Sequence, residues 1–266
     1  MTFDDLKYEV SERIATITLD RAEARNAYSD AMIESLVRAL DEAERDDDVR
    51  CVILTGAGTA FSGGGDLKLM RDHEGMFEGD PVHLRSAYLR GIQRIPRRFA
   101  RFEKPVIAAI NGPAIGAGLD LACMCDIRIA SDGARFGSTF VKLGLIPGDG
   151  GAYLLARIIG FPRALELVIS GRIIDTLEAD RIGLINEIAM DDDVMKLARK
   201  RARKIAENAP LAVRLAKSAV YQSYDLSLDA ALNLAATYQS IAQNTANHDE
   251  AVAAMLEGRK PSFENN

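Results

Sequence analysis

The stretch that decides the fold is VIAAINGPAIGAGLDLA, residues 106–122. Its first five residues are small or branched apolar residues, which is typical of a buried strand. Asn111-Gly112 ends that strand as a turn, and GAGLDLA begins a helix. FSGGGDLK, residues 61–68, has the same layout because it follows the apolar run CVIL, residues 51–54, and leads into a helical pattern. Strand, glycine turn and helix therefore occur twice.

Apolar patterning on either side of these two turns predicts more of the same architecture. Ser29 is expected to cap a helix at its N-terminus. The apolar face of that helix comprises Met32, Ile33, Leu36, Val37 and Leu40. Short strands are predicted at Val10, 14–19, 51–54, 106–110, 126–130 and 134–137. Strands that alternate with helices indicate an α/β fold with a parallel sheet.

The second half of the chain is predicted to be nearly all helical after residue 149. Helices are expected at 149–159, 161–170 and 175–182, followed, after a break at 184–190, by three more between about 192 and 257. Residues 85–103 are predicted to form a helix that is kinked near Pro96. We therefore divide the chain into a β/α core, residues 1–190, and a helical C-terminal region, residues 191–266.

Composition excludes several classes of protein. The 266 residues carry a net charge of −6 and no Trp, which disfavours a nucleic-acid-binding protein. Cys51, Cys123 and Cys125 lie in apolar runs, so we expect buried free thiols, and the Cys-x-Cys pair lacks the second pair of ligands that a zinc site needs. The N-terminus has no apolar signal core and no run spans a membrane. We expect a soluble protein of a reducing cytoplasm.

The two glycine turns suggest a chemical role. A helix start offers free backbone N–H groups and the positive end of the helix dipole. Two such turns placed side by side would direct two N–H donors at one oxygen, which is an oxyanion hole suited to the enolate of a thioester. The alternative is that the glycines serve only tight strand–helix turns. Neither turn has the G-x-G-x-x-G dinucleotide pattern or the G-K-[ST] ending of a P-loop.

FSGGGDLKLM (61–70), KPVIAAINGPAIGAGLDLACMCDIRIA (104–130) and FGSTFVKLGLIPGDGG (136–151) together resemble the crotonase (enoyl-CoA hydratase/isomerase) superfamily. The resemblance extends over nearly the whole chain, to EGRKPSF (257–263). It implies a core of repeated β-β-α units and a C-terminal helical region that forms homotrimers, often paired into hexamers. It also implies an acyl-CoA thioester substrate, with no metal and no cofactor besides the coenzyme A of the substrate.

Carried over by position, the resemblance implies specific site residues. The oxyanion donors would be the N–H groups of Gly65 and Ala117, where relatives more often have glycine at the second position. Alanine keeps the N–H, so the hole is expected to form if the backbone angles suit it. Binding of coenzyme A or the acyl group is assigned to Arg25, Ala27, Gly63, Gly65, Asp66, Leu67, Lys68, Phe140, Lys260 and Phe263. The last two match an element that contacts the adenine end of coenzyme A in relatives, sometimes across subunits.

The acid–base residues depart from the family pattern. The usual hydratase has two glutamates, and the matching positions here are Asp120 and Phe140, which cannot transfer a proton. Asp149, in PGDGG, is a second candidate because the oxocamphor hydrolase branch has a catalytic aspartate in that context. We expect the helix start to keep Asp120 ionised, as a base, and burial against Phe140 and Ile146 to raise the pKa of one aspartate. The alternatives are dipole stabilisation by Asp120 and a helix N-cap at Asp149.

These residues predict an enoyl-CoA hydratase- or isomerase-type enzyme that uses Asp120 and Asp149. Two alternatives stay open at this point. One is hydrolytic C–C cleavage of a cyclic or 1,3-dicarbonyl substrate, suggested by PGDGG. The other is a CoA-ester-binding protein with weak catalysis, because Phe140 replaces the second glutamate.

Overall fold

The computed structural model describes residues 2–190 and 193–265. The strands within these residues are β1 Leu6–Ser11, β2 Ile14–Leu19, β3 Cys51–Gly56, β4 Val106–Ile110, β5 Ala114–Ile115, β6 Ile127–Ser131, β7 Arg135–Gly137, β8 Ile173–Asp175 and β9 Glu187–Ala189. The helices there are α1 Asp30–Arg45, α2 Leu67–Asp72, α3 Pro81–Arg90, α4 Arg94–Phe99, α5 Ala117–Met124, α6 Gly151–Ile159, α7 Phe161–Ser170, α8 Thr176–Arg181, α9 Val194–Ala206, α10 Pro210–Ser223, α11 Leu228–Gln243 and α12 Ala246–Glu257.

The larger sheet has the strand order β1-β2-β3-β4-β6-β9. The hairpin of β1 and β2 is antiparallel, whereas every other neighbouring pair in this sheet is parallel. A second sheet has the order β5-β7-β8. Because β3 and β4 are parallel neighbours, the glycine turns that follow them lie at the same edge of the sheet. The predicted α/β fold with parallel strands is confirmed.

The core has two parts, one on each face of the larger sheet. The main apolar cluster lies on one face and includes α1, whose N-terminus is capped as predicted, with the Met32 N–H donating to Ser29 Oγ at 3.0 Å. The other face is covered by α9, whose buried residues recur every four positions: Val194, Ala198, Ala202 and Ala206. All three cysteines are buried free thiols, as predicted.

Several predicted elements differ from the structure. The helix expected at 85–103 is interrupted at Gly91, whose backbone is not helical, and Pro96 lies inside the first turn of α4. Proline is tolerated there because first-turn N–H groups have no acceptor within the helix. The stretch after residue 149 also contains two short strands, β8 and β9, which exist because β7 and β6 pair with them. Within 193–265 the C-terminal region contains α9 to α12, one helix more than predicted.

The boundary between core and C-terminal region was placed at residue 190. Since α9 packs directly on the larger sheet, the first helix after that boundary contributes to the core. Helices α10 and α11, which contact each other, follow it, and Lys217 of α10 forms an ion pair at 2.8 Å with Asp126, which precedes β6. Whether the chain divides into two domains at residue 190 stays a prediction.

Candidate active site

The two glycine turns meet at the carboxyl edge of the larger sheet. Gly64 has φ +86°, and a Cβ at this residue would lie 2.5 Å from the Ile115 carbonyl oxygen and 2.9 Å from the Ala117 nitrogen. A Cβ on Gly118 would likewise lie 2.2 Å from the Ser62 carbonyl oxygen. Only glycine allows the two backbones to approach this closely. The side-by-side arrangement that the sequence suggested is therefore present.

The predicted oxyanion donors lie at this junction. Gly116 has φ +56° and ψ −124°, a conformation that favours glycine, and it directly precedes α5. Ala117 is the first residue of α5, so its backbone is helical and suits alanine. In the part of the chain that the structure describes, the N–H groups of Gly65 and Ala117 donate to no acceptor. Their role as oxyanion donors stays a prediction.

A cleft of about 860 Å³ opens beside the first glycine turn. Its wall contains most of the residues assigned to coenzyme A, namely Arg25, Ala27, Gly63, Gly65, Asp66, Leu67 and Lys68. Arg21 also lies in this wall and organises it, because its guanidinium donates to the Ala27 carbonyl at 2.7 Å and forms an ion pair with Asp66 at 3.4 Å. The Asp66 carboxylate accepts a hydrogen bond from the Lys68 N–H at 3.0 Å, which caps α2.

The structure does not bring Lys260 and Phe263 to this cleft in the same chain. The Phe263 carbonyl accepts a hydrogen bond from Arg50 at 2.8 Å, and Arg50 precedes β3. The cleft lies beyond the carboxyl end of β3, a six-residue strand that separates the two places by roughly 20 Å. Phe263 therefore lies away from the cleft of its own chain. Their part in the cleft of a second copy stays a prediction.

Asp120 and Asp149 form a buried pair behind the glycine turns. Their exposed fractions are 1% and 2%. The Oδ2 atom of Asp120 accepts a hydrogen bond from the Gly151 N–H at 3.2 Å. Both carboxylate oxygens of Asp149 are buried, and they meet no donor among the described residues other than the facing carboxyl of Asp120. Two candidates that are 29 positions apart in the sequence are thus brought together.

The pair holds a proton more tightly than ordinary aspartates do. Burial, followed by the negative charge of Asp149, raises the pKa of Asp120 well above its usual range, against the opposing effect of the Gly151 N–H. Burial also raises the pKa of Asp149, but a hydrogen bond donated by protonated Asp120 favours the ionised form of Asp149. Asp120 is therefore the protonated member of the pair. The expectation that the helix start keeps Asp120 ionised is wrong, because desolvation and the second carboxylate outweigh the dipole.

Two further expectations about Asp149 are corrected. Its side chain does not cap α6: the residue before that helix is Gly150, at φ +113°, and Asp120 supplies the acceptor for the Gly151 N–H. Ile146 is 75% exposed, so it does not bury either aspartate. Asp149 is nevertheless buried, and its carboxylate has no structural role as a cap of α6.

Phe140 lies next to the second glycine turn. It is half-buried, packs against the main core, and its ring lies 3.9 Å from the position that a Cβ on Gly116 would occupy. The ring therefore borders the oxyanion junction, where it supplies an apolar wall and no proton. This location is consistent with the predicted role in lining the acyl pocket.

Tyr28 and Gly151 were missed by the sequence reasoning. The Tyr28 hydroxyl is buried and has no hydrogen-bond partner among residues 2–190 and 193–265. A Cβ on Gly151 would lie 2.0 Å from Asp120 Oδ1. The glycine pair of PGDGG was a signal for close backbone approach, but nothing in NAYS (26–29) indicated that the Tyr28 hydroxyl is buried without a partner.

No group of three or more His, Cys, Asp and Glu side chains among the described residues is arranged to hold a metal ion. No described helix combines the length and the apolar character that crossing a membrane requires.

Together, the paired glycine turns, the cleft and the enclosed carboxyl pair define a crotonase-like α/β protein. The family model "Enoyl-CoA hydratase/isomerase" matches residues 9–266, and the chain belongs to that family. The chain is 36% identical over 261 residues to the short-chain-enoyl-CoA hydratase of Clostridium acetobutylicum, and the alignment covers 98% of this chain and 97% of the relative. It is 37% identical over 254 residues to the 1,2-epoxyphenylacetyl-CoA isomerase of Escherichia coli, with 96% of each chain covered.

Solved structures agree with this assignment. The enoyl-CoA hydratase from Bacillus anthracis superposes with a TM-score of 0.92 at 33% identity and covers 99% of this chain and 100% of that one. The enoyl-CoA hydratase from Mycobacterium smegmatis gives a TM-score of 0.90 at 30% identity, with 97% and 98% covered. The chain is an enzyme of this acyl-CoA family, with the crotonase-like fold that the resemblance implied.

Proposed function

We propose that this enzyme hydrates the double bond of an enoyl-CoA thioester, and dehydrates the 3-hydroxyacyl product in reverse. The observation that carries the proposal is the buried carboxyl pair, Asp120 and Asp149, behind two free backbone N–H donors. Hydration needs a base for water and an acid for Cα. One proton shared between two carboxyl groups supplies both forms at once.

In the proposed reaction, the thioester carbonyl oxygen accepts hydrogen bonds from the N–H groups of Gly65 and Ala117. Ionised Asp149 takes a proton from water, and the oxygen of that water forms a bond to Cβ. The electrons of the double bond move into the thioester as an enolate, whose charge the two N–H groups stabilise. Protonated Asp120 then delivers its proton to Cα. The proton gained by Asp149 passes to Asp120 and restores the pair.

The cleft is the proposed site for coenzyme A. Arg25 and Lys68 at its wall carry positive charge suited to phosphate groups, and the glycines of 63–65 allow close approach of the pantetheine arm. In this proposal coenzyme A is part of the substrate, and no separate cofactor is needed.

Double-bond isomerisation is the second candidate. Phe140 provides no carboxylate where the usual hydratase has one, and an isomerase of epoxyphenylacetyl-CoA is among the similar proteins. In that case one member of the pair would move a proton between two carbons of the acyl chain, and no water would be added.

The test is the absorbance of the conjugated thioester after the protein is added to crotonyl-CoA, with Asp120→Asn and Asp149→Asn in parallel. Hydration predicts a loss of absorbance that either variant reduces by about 10²–10⁴-fold. If the protein leaves crotonyl-CoA unchanged but a 3-enoyl-CoA gains the absorbance of a conjugated thioester, the reaction is isomerisation rather than hydration. Binding of both esters without reaction would leave C–C hydrolysis of a dicarbonyl or weak catalysis as the remaining readings.

We also propose that the chain assembles as a homotrimer or a dimer of trimers. Large apolar side chains of the C-terminal helices are highly exposed, including Val220, Leu228, Leu232, Met255 and Leu256. Exposed apolar surface of this kind marks an interaction surface. Light scattering after size exclusion should give three or six times the mass of one chain, and a monomer would contradict the proposal.

A further inference from the structure

Tyr28 connects the two halves of the proposed site. Its backbone N–H donates to the Gly64 carbonyl at 2.8 Å, and its main chain pairs with Gly65. Its side chain is only 2% exposed and lies in the main core. The residue therefore begins beside the proposed oxyanion donor and extends inward, behind the glycine turns.

The end of this side chain is a polar atom with no protein partner. The Tyr28 hydroxyl is buried without a hydrogen-bond partner among the described residues, and the buried carboxylate oxygens of Asp149 meet no donor there other than the facing carboxyl of Asp120. Buried polar groups are nearly always paired, and leaving one unpaired is costly. A phenylalanine would fill the same volume at no such cost. The hydroxyl therefore has a use that packing does not explain.

Tyr28 and the carboxyl pair are electrostatically coupled. Burial, then the charge of Asp149, then the charge of Asp120 raise the pKa of Tyr28. The hydroxyl thus stays protonated and acts as a hydrogen-bond donor. Asp149, the ionised member of the pair, is an acceptor only. A buried donor and a buried acceptor, between which the charge of one acts on the other, match one oxygen that carries both a proton and a lone pair.

We propose that the Tyr28 hydroxyl and the Asp149 carboxylate together hold the oxygen at Cβ: the attacking water in hydration, and the β-hydroxyl of a 3-hydroxyacyl-CoA in reverse. The oxygen accepts a hydrogen bond from Tyr28 and donates its own hydrogen to Asp149. This assignment rests on the proposed function and narrows its substrate class to acyl thioesters that carry an oxygen on the third carbon.

The test compares two CoA esters that differ by that oxygen. Calorimetric titration with 3-hydroxybutyryl-CoA (each enantiomer) and butyryl-CoA is done in an Asp120→Asn background, which blocks turnover. We expect one enantiomer to bind at least about fivefold more tightly than butyryl-CoA. Adding Tyr28→Phe should weaken that enantiomer by about 5–10-fold, the size of one hydrogen bond. Affinity for butyryl-CoA should stay within about twofold.

Tyr8→Phe is the matched control. The Tyr8 hydroxyl is also buried without a partner, but it is coupled to Asp46 and Glu42 rather than to the carboxyl pair. This control should leave both affinities unchanged. Thermal melting checks the fold, and Tyr28→Phe should melt no lower than its parent, because it removes only an unpaired hydroxyl.

The outcomes separate the two proposals. If Tyr28→Phe weakens the binding of both esters equally, or weakens the binding of neither, Tyr28 has only a packing role and this inference is overturned. The inference is also overturned if the Asp120→Asn protein, with Tyr28 intact, binds butyryl-CoA as tightly as both enantiomers of 3-hydroxybutyryl-CoA. A parent that binds no CoA ester overturns the proposed function and this inference with it.

Discussion

Gly151→Ala tests the carboxyl pair without altering either carboxyl group. Gly151 is the first residue of α6, and its N–H donates to Asp120 Oδ2 at 3.2 Å. A Cβ at this position would lie 2.0 Å from Oδ1, 2.2 Å from Cγ and 2.3 Å from Oδ2 of Asp120. Ordinary contacts need about 3.5–4 Å, so the carboxyl must move by roughly 1 Å or more.

The size of the effect follows from these distances. Asp120 is 1% exposed, so its carboxyl has no open space to enter. Overpacking of this kind costs about 1–3 kcal/mol, and loss of the Gly151 hydrogen bond adds about 1 kcal/mol. We expect the free energy of unfolding to fall by about 2–4 kcal/mol. Turnover should fall on the order of 100-fold, because a displacement of 1 Å at a reacting group has that consequence.

The assay is urea unfolding at a fixed protein concentration, together with initial rates on crotonyl-CoA. Gly133→Ala is the matched control, because no atom lies within 4 Å of a Cβ there. It should change stability by less than about 0.5 kcal/mol. The cost of Gly151→Ala is then measured again in an Asp120→Ala background, where most of it should disappear.

Two results would refute this reasoning. If Gly151→Ala is as stable and active as Gly133→Ala, the close approach of α6 to the Asp120 carboxyl is wrong. If the cost persists unchanged in the Asp120→Ala background, the strain comes from some other neighbour.

Three further predictions concern the same site. Asp120→Asn should raise the free energy of unfolding, and the gain should grow from acid to neutral pH in urea titrations. Stability from protonated Asp120 is fully present below the unfolded pKa and is lost as pH rises through the raised folded pKa, whereas Asn does not titrate. Turnover should be bell-shaped in pH, falling in acid as Asp149 is protonated and in base as Asp120 loses its proton, with both limbs read from initial rates. Gly116→Ala should cost about 1–3 kcal/mol and most activity because of its φ of +56°, while Ala117→Gly keeps the N–H and the activity.

Each of these predictions has a clear contrary result. A gain from Asp120→Asn that is the same at acid and neutral pH would show that this carboxyl does not carry the raised pKa. A rate that rises to a plateau in base would mean that no protonated carboxyl is required. If Ala117→Gly loses as much activity as Gly116→Ala, the loss in Gly116→Ala cannot be attributed to the backbone conformation of Gly116.

Much of the fold was predictable because its signals are local. The strand at 106–110, the cap at Ser29 and the two glycine turns each depend on neighbours within a few residues. The short strands β8 and β9 were missed because they depend on pairing with strands far away in the chain. The interruption that the structure has at Gly91 was predicted as a kink near Pro96. Proline in the first turn of a helix and proline at a kink look the same in the sequence.

The sequence by itself determined the α/β class, the family, the turns with free N–H groups, and two of the candidate groups, Asp120 and Asp149. Only the tertiary structure decided which aspartate holds the proton, that Asp149 does not cap α6, and that the charges of both aspartates act on the buried Tyr28 hydroxyl. The physical reason is that strand and helix patterns depend on adjacent residues, whereas a pKa depends on desolvation and on charges a few ångströms away. Those neighbours come from α5 and from the segments that precede α1 and α6, and only folding brings them together.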